Sequence, residues 1–319
     1  LSQFESLVTI ERELSSKNLV LFDKYYALPP GEKSKNGVVI AGYCGYFFVT
    51  DGSNHWENQI FGNISLSERG VNAWQHLLQQ RLEKANALNI QIVHTVVPEK
   101  QLIFPMFRWK RNARDWGDPN IDYDFKKRPI KTILNVLPSG LKFIYPIDLL
   151  RALQPYCELY YRGDSHWCAS GCLAVGLELL RSLVSPALVE QLSFRFERST
   201  VRHDLMMHFY APPPMEEIIT FVDNWFSLIY ASDQLRRTGV HNGMRYILLN
   251  KNALQQDKVA VYGDSYSLDT GLTNVISWMF REVHFFNSRN INWNYLTANN
   301  IKYLIWQSAE RFMGSVPVV

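Results

Sequence analysis

From position 71 onward, apolar residues recur at helical spacing: Val71, Trp74, Leu78, Leu82 and Ala85 fall on one face. The stretch Ser65-Leu66-Ser67-Glu68 just ahead of them reads as a capping box that opens the helix. Residues 90–97, with Ile90, Ile92, Val93, Val96 and Val97, follow and read as a buried strand that Pro98 ends. The same rhythm resumes further on, with a strand around Phe143, a helix around Leu149 and a helical run over 170–183. Later come strands at 245–249 and 258–262, then helical spacing at Leu268, Leu272, Val275, Ile276, Met279 and Phe280. Short strands at 283–286 and 303–306 complete a sheet. Helix and strand in alternation predict an α/β fold with a mainly parallel central sheet.

Before this rhythm begins, residues 1–36 read as an N-terminal extension. It has a short helix to about Ser16, a turn at Pro29-Pro30-Gly31, and polar residues to Asn36. Residues 38–50 are strand-like. No repeat, low-complexity tract or linker divides the remainder, so residues 37–319 are expected to form a single domain, with insertions near 105–130 and 186–245. A chain of 319 residues with 47% hydrophobic content suits one α/β domain carrying insertions. Its net charge of +3 is too small to imply a nucleic-acid partner. No apolar run approaches the ~20 residues of a membrane span. The chain starts with Leu1 rather than methionine, which suggests a trimmed or mature chain, and the absence of a signal peptide or anchor is uninformative. Four cysteines, Cys44, Cys157, Cys168 and Cys172, allow three complete pairings, and the spacing selects none. Cys168 and Cys172 read as buried helix-face thiols, and a disulfide at Cys157 would fit an oxidising compartment.

Candidate chemistry lies at two places. Asp164-Ser165-His166-Trp167 precedes Gly263-Asp264-Ser265-Tyr266-Ser267 by about 100 residues. Together they supply the groups that acyl transfer to or from oxygen requires. A serine hydroxyl becomes a good nucleophile when a base takes its proton, and histidine does that well when an acid fixes its tautomer. The strand at 258–262 and the helical spacing behind it place Ser265 on a strand-to-helix turn. Its backbone N–H then lies near a helix start, suited to an oxyanion. The motif is not the Gly-x-Ser-x-Gly elbow, because position 267 is serine. Asp164 and His166 are two positions apart and would not face each other on a helix. They can converge only on an irregular turn ahead of the helix at 170–183.

At these residues the chain resembles the SGNH (GDSL-type) hydrolase superfamily, and within it the alginate O-acetyltransferase J and X branch. That branch is similar in carrying Asp-x-His-Trp upstream and a Gly-[Asp/Thr]-Ser-[Phe/Tyr]-Ser block downstream, an order permuted relative to ordinary SGNH esterases. Val97-Pro98-Glu99-Lys100 followed by Ile103-Phe104-Pro105 resembles its Pro-x-Lys and Tyr-Pro segment. Ile147-Asp148-Leu149-Leu150, then Tyr160-Tyr161, resembles its run into the Asp-x-His loop. Residues 301–313, with Glu310-Arg311-Phe312, resemble its closing strand. The likeness thus covers roughly residues 37 to 313. Cys44-Gly45-Tyr46-Phe47-Phe48 departs from the branch's Asp-Gly-Trp-Leu-Phe opening, with Asp51-Gly52 displaced. His203-Asp204-Leu205 echoes a Gly-Asp-Leu of relatives inside an otherwise unplaced segment.

The resemblance implies an SGNH-like three-layer α/β/α sandwich and a polysaccharide O-acetyltransferase that works through an acetyl-serine. It further implies a polysaccharide acceptor, an acetyl group delivered by a membrane-bound O-acyltransferase, no cofactor, and a periplasmic or otherwise extracytoplasmic location. Two other classes remain open: a carbohydrate acetylesterase, and a glycan-binding protein without catalysis. Ser265, His166 and Asp164 are the expected nucleophile, base and orienting acid. Gly263, Tyr266, Asn274, Asn287, Arg289, Trp167 and Lys100 are candidates for the oxyanion site or substrate binding. Each also has a plainer reading: Trp167 packing beneath His166, and Lys100 as a solvated lysine. Glu310-Arg311 reads as a structural ion pair or a helix feature. Metal binding by Asp164 and His166 lacks a third ligand at suitable spacing, so no metal is expected. The remaining histidines, at 55, 76, 94, 203, 208, 241 and 284, read as structural. The basic and aromatic segment 107–128, and the Asn-rich one at 287–294, fit either sugar contacts or solvated loops.

Overall fold

The computed structural model describes residues 2–109, 128–222, 226–234, 245–268 and 271–317. Eleven strands run through the described residues. The first two, β1 (Val39–Ala41) and β2 (Phe47–Val49), form a small antiparallel hairpin. Central-sheet strands β3 (Gln91–Val97) and β4 (Lys142–Ile144) follow. A second hairpin pairs β5 (Phe196–Arg202) with β6 (Met215–Phe221). The rest of the central sheet comes from β7 (Ser227–Ser232), β8 (Arg245–Leu249), β9 (Gln255–Gly263), β10 (Phe280–Asn287) and β11 (Tyr303–Ala309). Its spatial order is β4-β3-β11-β9-β10-β8-β7. The five strands from β4 to β10 are mutually parallel, and β8 and β7 close the far edge antiparallel.

Side chains alternate between the faces of a strand, so a stretch covered on both sides carries apolar residues on both. β9 shows this directly. Val259 and Val261 join one buried cluster, while Ala260 and Tyr262 join another on the opposite face. The first cluster is covered by α1 (Ser2–Tyr25), α3 (Ala169–Leu183) and α5 (Leu272–Met279). The second is covered by α2 (Glu68–Ala87), through Trp74, Leu77, Leu78 and Ala85. The chain is therefore an α/β/α sandwich around a mostly parallel sheet, as the alternation predicts.

Several local expectations change. The cap of α2 is Ser67, whose hydroxyl accepts from the Gly70 N–H at 3.2 Å, rather than Ser65 two positions earlier. The strand-like stretch 38–50 folds back on itself as the β1–β2 hairpin, since Gly42 and Gly45 sit in the turn. The first helix runs on to Tyr25 and buries Leu7, Glu11, Leu14 and Phe22 against the body of the molecule. The apolar run after Ser265 does not form one helix. It breaks after α4 (Ser265–Leu268), restarts as α5, and Phe280 already belongs to β10. The insertion 186–245 supplies the β5–β6 hairpin and the edge strand β7. Most of the other insertion, residues 110–127, lies outside the described residues, as do Lys110, Arg111, Arg114, Trp116, Tyr123, Phe125, Lys126 and Lys127. At its borders, Arg108 pairs with Glu57 at 2.7 Å and Arg128 with Glu310 at 2.6 Å. Among the described residues no helix is long and apolar enough to cross a membrane.

Candidate active site

Ser265 opens α4 directly after β9, at the carboxyl end of the parallel strands, where open α/β sheets present their sites. Asp264 holds this turn in place. One of its oxygens accepts from the Tyr266 N–H at 3.1 Å and the Gln307 amide at 2.9 Å. The other accepts from the Ala309 N–H at 2.6 Å, tying the turn to the end of β11. Only glycine fits at 263: a Cβ there would lie 2.6 Å from Ser267 Oγ and 2.7 Å from Gln307 Oε1. Ser267 Oγ donates to the same Gln307 oxygen, so Gly263, Asp264 and Ser267 act together to aim Ser265.

Asp164 and His166 meet across their separation of two residues because the loop folds tightly. Tyr160 bridges to Trp167, and the Cys168 N–H donates to the Leu159 carbonyl at 3.0 Å, pinching the loop at its base. Within it, Asp164 Oδ1 accepts from the His166 backbone N–H at 3.0 Å and approaches its ring Nδ1 at 2.6 Å. One carboxylate oxygen thus shapes the turn and orients the imidazole. The other imidazole nitrogen, Nε2, lies 2.7 Å from Ser265 Oγ. Below the loop, Lys100 Nζ donates to the carbonyls of Tyr161 (3.0 Å), Arg162 (2.9 Å) and Asp164 (2.6 Å).

Sequence reasoning passed over the second partner of Asp164. Its Oδ2 accepts from the Asp204 N–H at 2.9 Å and faces His203 Nδ1 at 3.4 Å. The far side of the His203 ring meets Glu216 Oε2 at 3.1 Å. Asp204 in turn accepts from the Ser165 N–H at 2.7 Å and Ser165 Oγ at 2.6 Å. The only signal for this pair in the sequence is His203-Asp204-Leu205, within the insertion.

Burial and partners set the charges. Burial alone would lift Asp164, but hydrogen bonds and charge from His166 and His203 outweigh it and hold the carboxyl well below the usual carboxylate range. Burial pulls His166 down, yet the hydrogen bond and charge of Asp164, with the charge of Asp204, leave it above the ordinary 6.5. Burial also opposes charge on His203, and Asp164 and Glu216 overcome it, pushing the ring up to about 9. Lys100 goes the other way: burial lowers it to about 7 despite the surrounding carboxylates.

The remaining candidates fall into three groups. Tyr266 and Trp167 are buried and stack edge-to-face beneath the site, with the Tyr266 ring 4.9 Å from that of His166 and 5.2 Å from that of Trp167. The Tyr266 hydroxyl donates to the Ser165 carbonyl at 2.6 Å. Lys100 neither lines an open cleft nor sits in solvent; it is 2% exposed and braces the loop from inside. Asn274 lines a cavity of about 290 Å³ beside His166, together with Asp204, Ile219, Phe221 and Leu268. Asn287 ends β10 directly opposite Gly263 in the sheet register. Arg289 is committed elsewhere, donating to Ser315 Oγ at 3.0 Å and to its carbonyl at 2.8 Å, and it makes no hydrogen bond to Ser265, His166 or Asp164. Glu310 and Arg311 open a short 3-10 turn, Glu310–Phe312, and pair with other residues rather than with each other. Glu310 takes Arg128, and Arg311 takes Glu99 at 2.9 Å. The four cysteines are free thiols.

Asp164, His166 and Asp204 bring three donor atoms within 4.8 Å of one another, which supplies the third group the spacing lacked. They do not have the spread of a metal site. His166 Nδ1 and Asp164 Oδ1 are 2.6 Å apart, whereas two ligands at about 2.1 Å on one tetrahedral ion would be about 3.4 Å apart. The short contact is that of a hydrogen-bonded pair.

No family model matches the sequence, and no curated protein matches it significantly. Solved structures do. PatB1 of Bacillus cereus superposes with a TM-score of 0.57 at 14% identity, covering 88% of this chain and 98% of that one. The O-acetyltransferase domain of Pseudomonas putida AlgJ gives 0.53 at 12% identity, over 91% and 95%. A DHHW family protein from Eubacterium siraeum gives 0.56 at 13% identity, over 87% and 92%. At such identities the likeness carries the fold alone, an α/β/α sandwich shared with these proteins.

Proposed function

We propose that the protein is an O-acyltransferase that moves acetyl groups onto sugar hydroxyls of an exported polysaccharide through an acetyl-Ser265 intermediate. The observation that carries this reading is the unbroken chain from Ser265 Oγ to His166 Nε2 (2.7 Å) and from His166 Nδ1 to Asp164 Oδ1 (2.6 Å). The AlgJ domain of the same fold, an O-acetyltransferase, supports the choice of acetyl transfer.

In the first half-reaction, His166 takes the Ser265 proton as the hydroxyl oxygen attacks the carbonyl carbon of an acetyl ester. The tetrahedral oxyanion forms beside the Ser265 backbone N–H, which carries no hydrogen bond among the described residues. Asn287 and Asn274 flank the same end of the sheet and are the candidate further donors. Collapse expels the donor alkoxide, which takes the proton from His166. In the second half, His166 deprotonates a sugar hydroxyl that attacks acetyl-Ser265, and the serine oxygen leaves with the proton. Asp164 holds the imidazole in the tautomer with Nε2 unprotonated and stabilises the imidazolium that forms in each half. Tyr266 and Trp167 act as the floor that keeps the ring in place. On this reading the protein works outside the cytoplasm and takes its acetyl group from a membrane-bound O-acyltransferase.

The test is incubation with an activated acetyl ester and candidate oligosaccharides, comparing wild type with Ser265→Ala by mass spectrometry. Acetylated sugar made by wild type alone is the expected result. Free acetate alone, dependent on Ser265, would replace transfer with an acetylesterase. Identical behaviour of both proteins with an accepted donor would leave a glycan-binding protein.

A further inference from the structure

His203 is 1% exposed and has a carboxylate at each ring nitrogen: Asp164 Oδ2 at 3.4 Å from Nδ1 and Glu216 Oε2 at 3.1 Å from Nε2. A neutral imidazole has one N–H and one lone pair. Either neutral tautomer would turn that lone pair onto a carboxylate oxygen inside the protein, where an unmade hydrogen bond is costly. Only the imidazolium donates at both ends. We propose that His203 is a positioning residue, kept as a buried cation between Glu216 and Asp164, that fixes the Asp164 carboxylate and restrains the basicity of His166.

The consequence follows from what Asp164 does. Its Oδ1 raises the proton affinity of His166, and unopposed it would leave the base largely protonated and idle near neutral pH. A cation on Oδ2 spends part of that charge. It also sets the rotation of the carboxylate, since the Asp204 N–H and His203 Nδ1 both bind Oδ2 and leave Oδ1 to His166. Other groups act in the same field. Tyr161 packs its ring 5.0 Å from His203, and Asp204 lies 4.0 Å from His166 Nδ1. The Ser165 hydroxyl and the Tyr266 ring also touch His166, and the charge of Arg311 lowers its proton affinity. Lys100 adds its charge from below the loop through the Asp164 carbonyl. Apart from the neutral Asp204 backbone N–H, none of these binds Oδ2. The upward push on His203 to about 9 agrees with the geometry.

The inference rests on His166 being the base for Ser265, and the experiment separates the two claims. Histidine labelled with 15N is followed by NMR from about pH 5 to about pH 10 in wild type, His203→Gln and Glu216→Gln. Wild type is expected to show both His203 nitrogens in the imidazolium form near neutral pH. Glu216→Gln should lower the His203 midpoint, and it serves if His203→Gln does not fold. His203→Gln should raise the His166 midpoint by about one pH unit. In turnover, its acid limb should move up equally, whereas a packing role alone would lower the rate at every pH and leave the limb in place. A neutral His203 near pH 7, or an unmoved His166 midpoint in His203→Gln, overturns the inference even in an active enzyme. A charged His203 in a protein without Ser265-dependent turnover upholds the electrostatics and removes the proposed function instead.

Discussion

At His166, burial and a carboxylate compete, and the carboxylate wins. The ring stands above its ordinary 6.5, so on the proposed role the free base is lost as pH falls through that raised value. The expected acid limb of kcat/KM therefore lies above 6.5, and a rate profile with its limb below would contradict the assignment. Asp164→Asn removes the charge and favours the wrong tautomer. A fall in kcat/KM of about 10⁴-fold is expected, with the fold retained by circular dichroism. The three residues of this chain were legible because each type has one role in acyl transfer and they stand in two compact motifs. His203 was not. A single histidine 39 positions from Asp164 has no pattern around it, and its meaning appears only when the β5–β6 hairpin brings Glu216 to its other side.

Among the elements, the loop over residues 159–168 depends on what lies under it. Lys100 satisfies three of its carbonyls at once, with Nζ within hydrogen-bond distance of each. Lys100→Met would leave those carbonyls without their donor. The expected loss is about 2–4 kcal/mol in urea unfolding, with faster amide exchange across the loop than in the sheet. The helix that follows is capped from a distance: Glu11 of α1 accepts from the Ser170 N–H at 3.0 Å. Burial, set against those hydrogen bonds, pushes the Glu11 carboxyl from 4.5 up to about 7. The folded chain thus holds a proton that the unfolded chain has released. This stabilisation is complete below the unfolded value and lost as pH rises through about 7. Glu11→Gln keeps the acceptor without the charge, so its stability relative to wild type should climb between pH 5 and pH 8; a flat difference would argue against a protonated Glu11. Strands β3 and β9 were readable because both faces are covered where apolar residues cluster, at Ile92, Val93, Val96 and Val97 and at Val259, Ala260 and Val261. The path of α1 was not, since burial of Leu7 and Leu14 in the cluster of α3 and β6, and of Phe22 against Phe47 of the β1–β2 hairpin, is a tertiary fact. The break between α4 and α5 was hidden because their apolar positions keep one helical period across it.

For the whole molecule, the parallel strands determine where chemistry can gather. The carboxyl ends of β3, β9, β10 and β11 deliver Lys100, Ser265, Asn287 and Arg311 to one edge from positions far apart in the chain. Arg311 and Glu99 pair there at 2.9 Å, and Arg128, Glu310 and Tyr145 join in a second buried group. These charges lie beside the site and lock the strand ends together, which explains why Glu310 and Arg311 seemed a single pair when read only as neighbours. Helix and strand alternation made the sandwich readable, but not which strands would be neighbours, because β11 inserts between β3 and β9 only in space. The central claim is that Ser265 carries the acyl group. It is tested most directly by exposing the protein briefly to an activated acetyl ester, quenching in acid, and mapping the added mass by peptide mass spectrometry. The account predicts one acetyl group on the peptide containing Ser265, absent from Ser265→Ala and strongly reduced in His166→Ala. Acetylation spread over lysines with Ser265 unmodified, or unchanged labelling in the His166 variant, would contradict it.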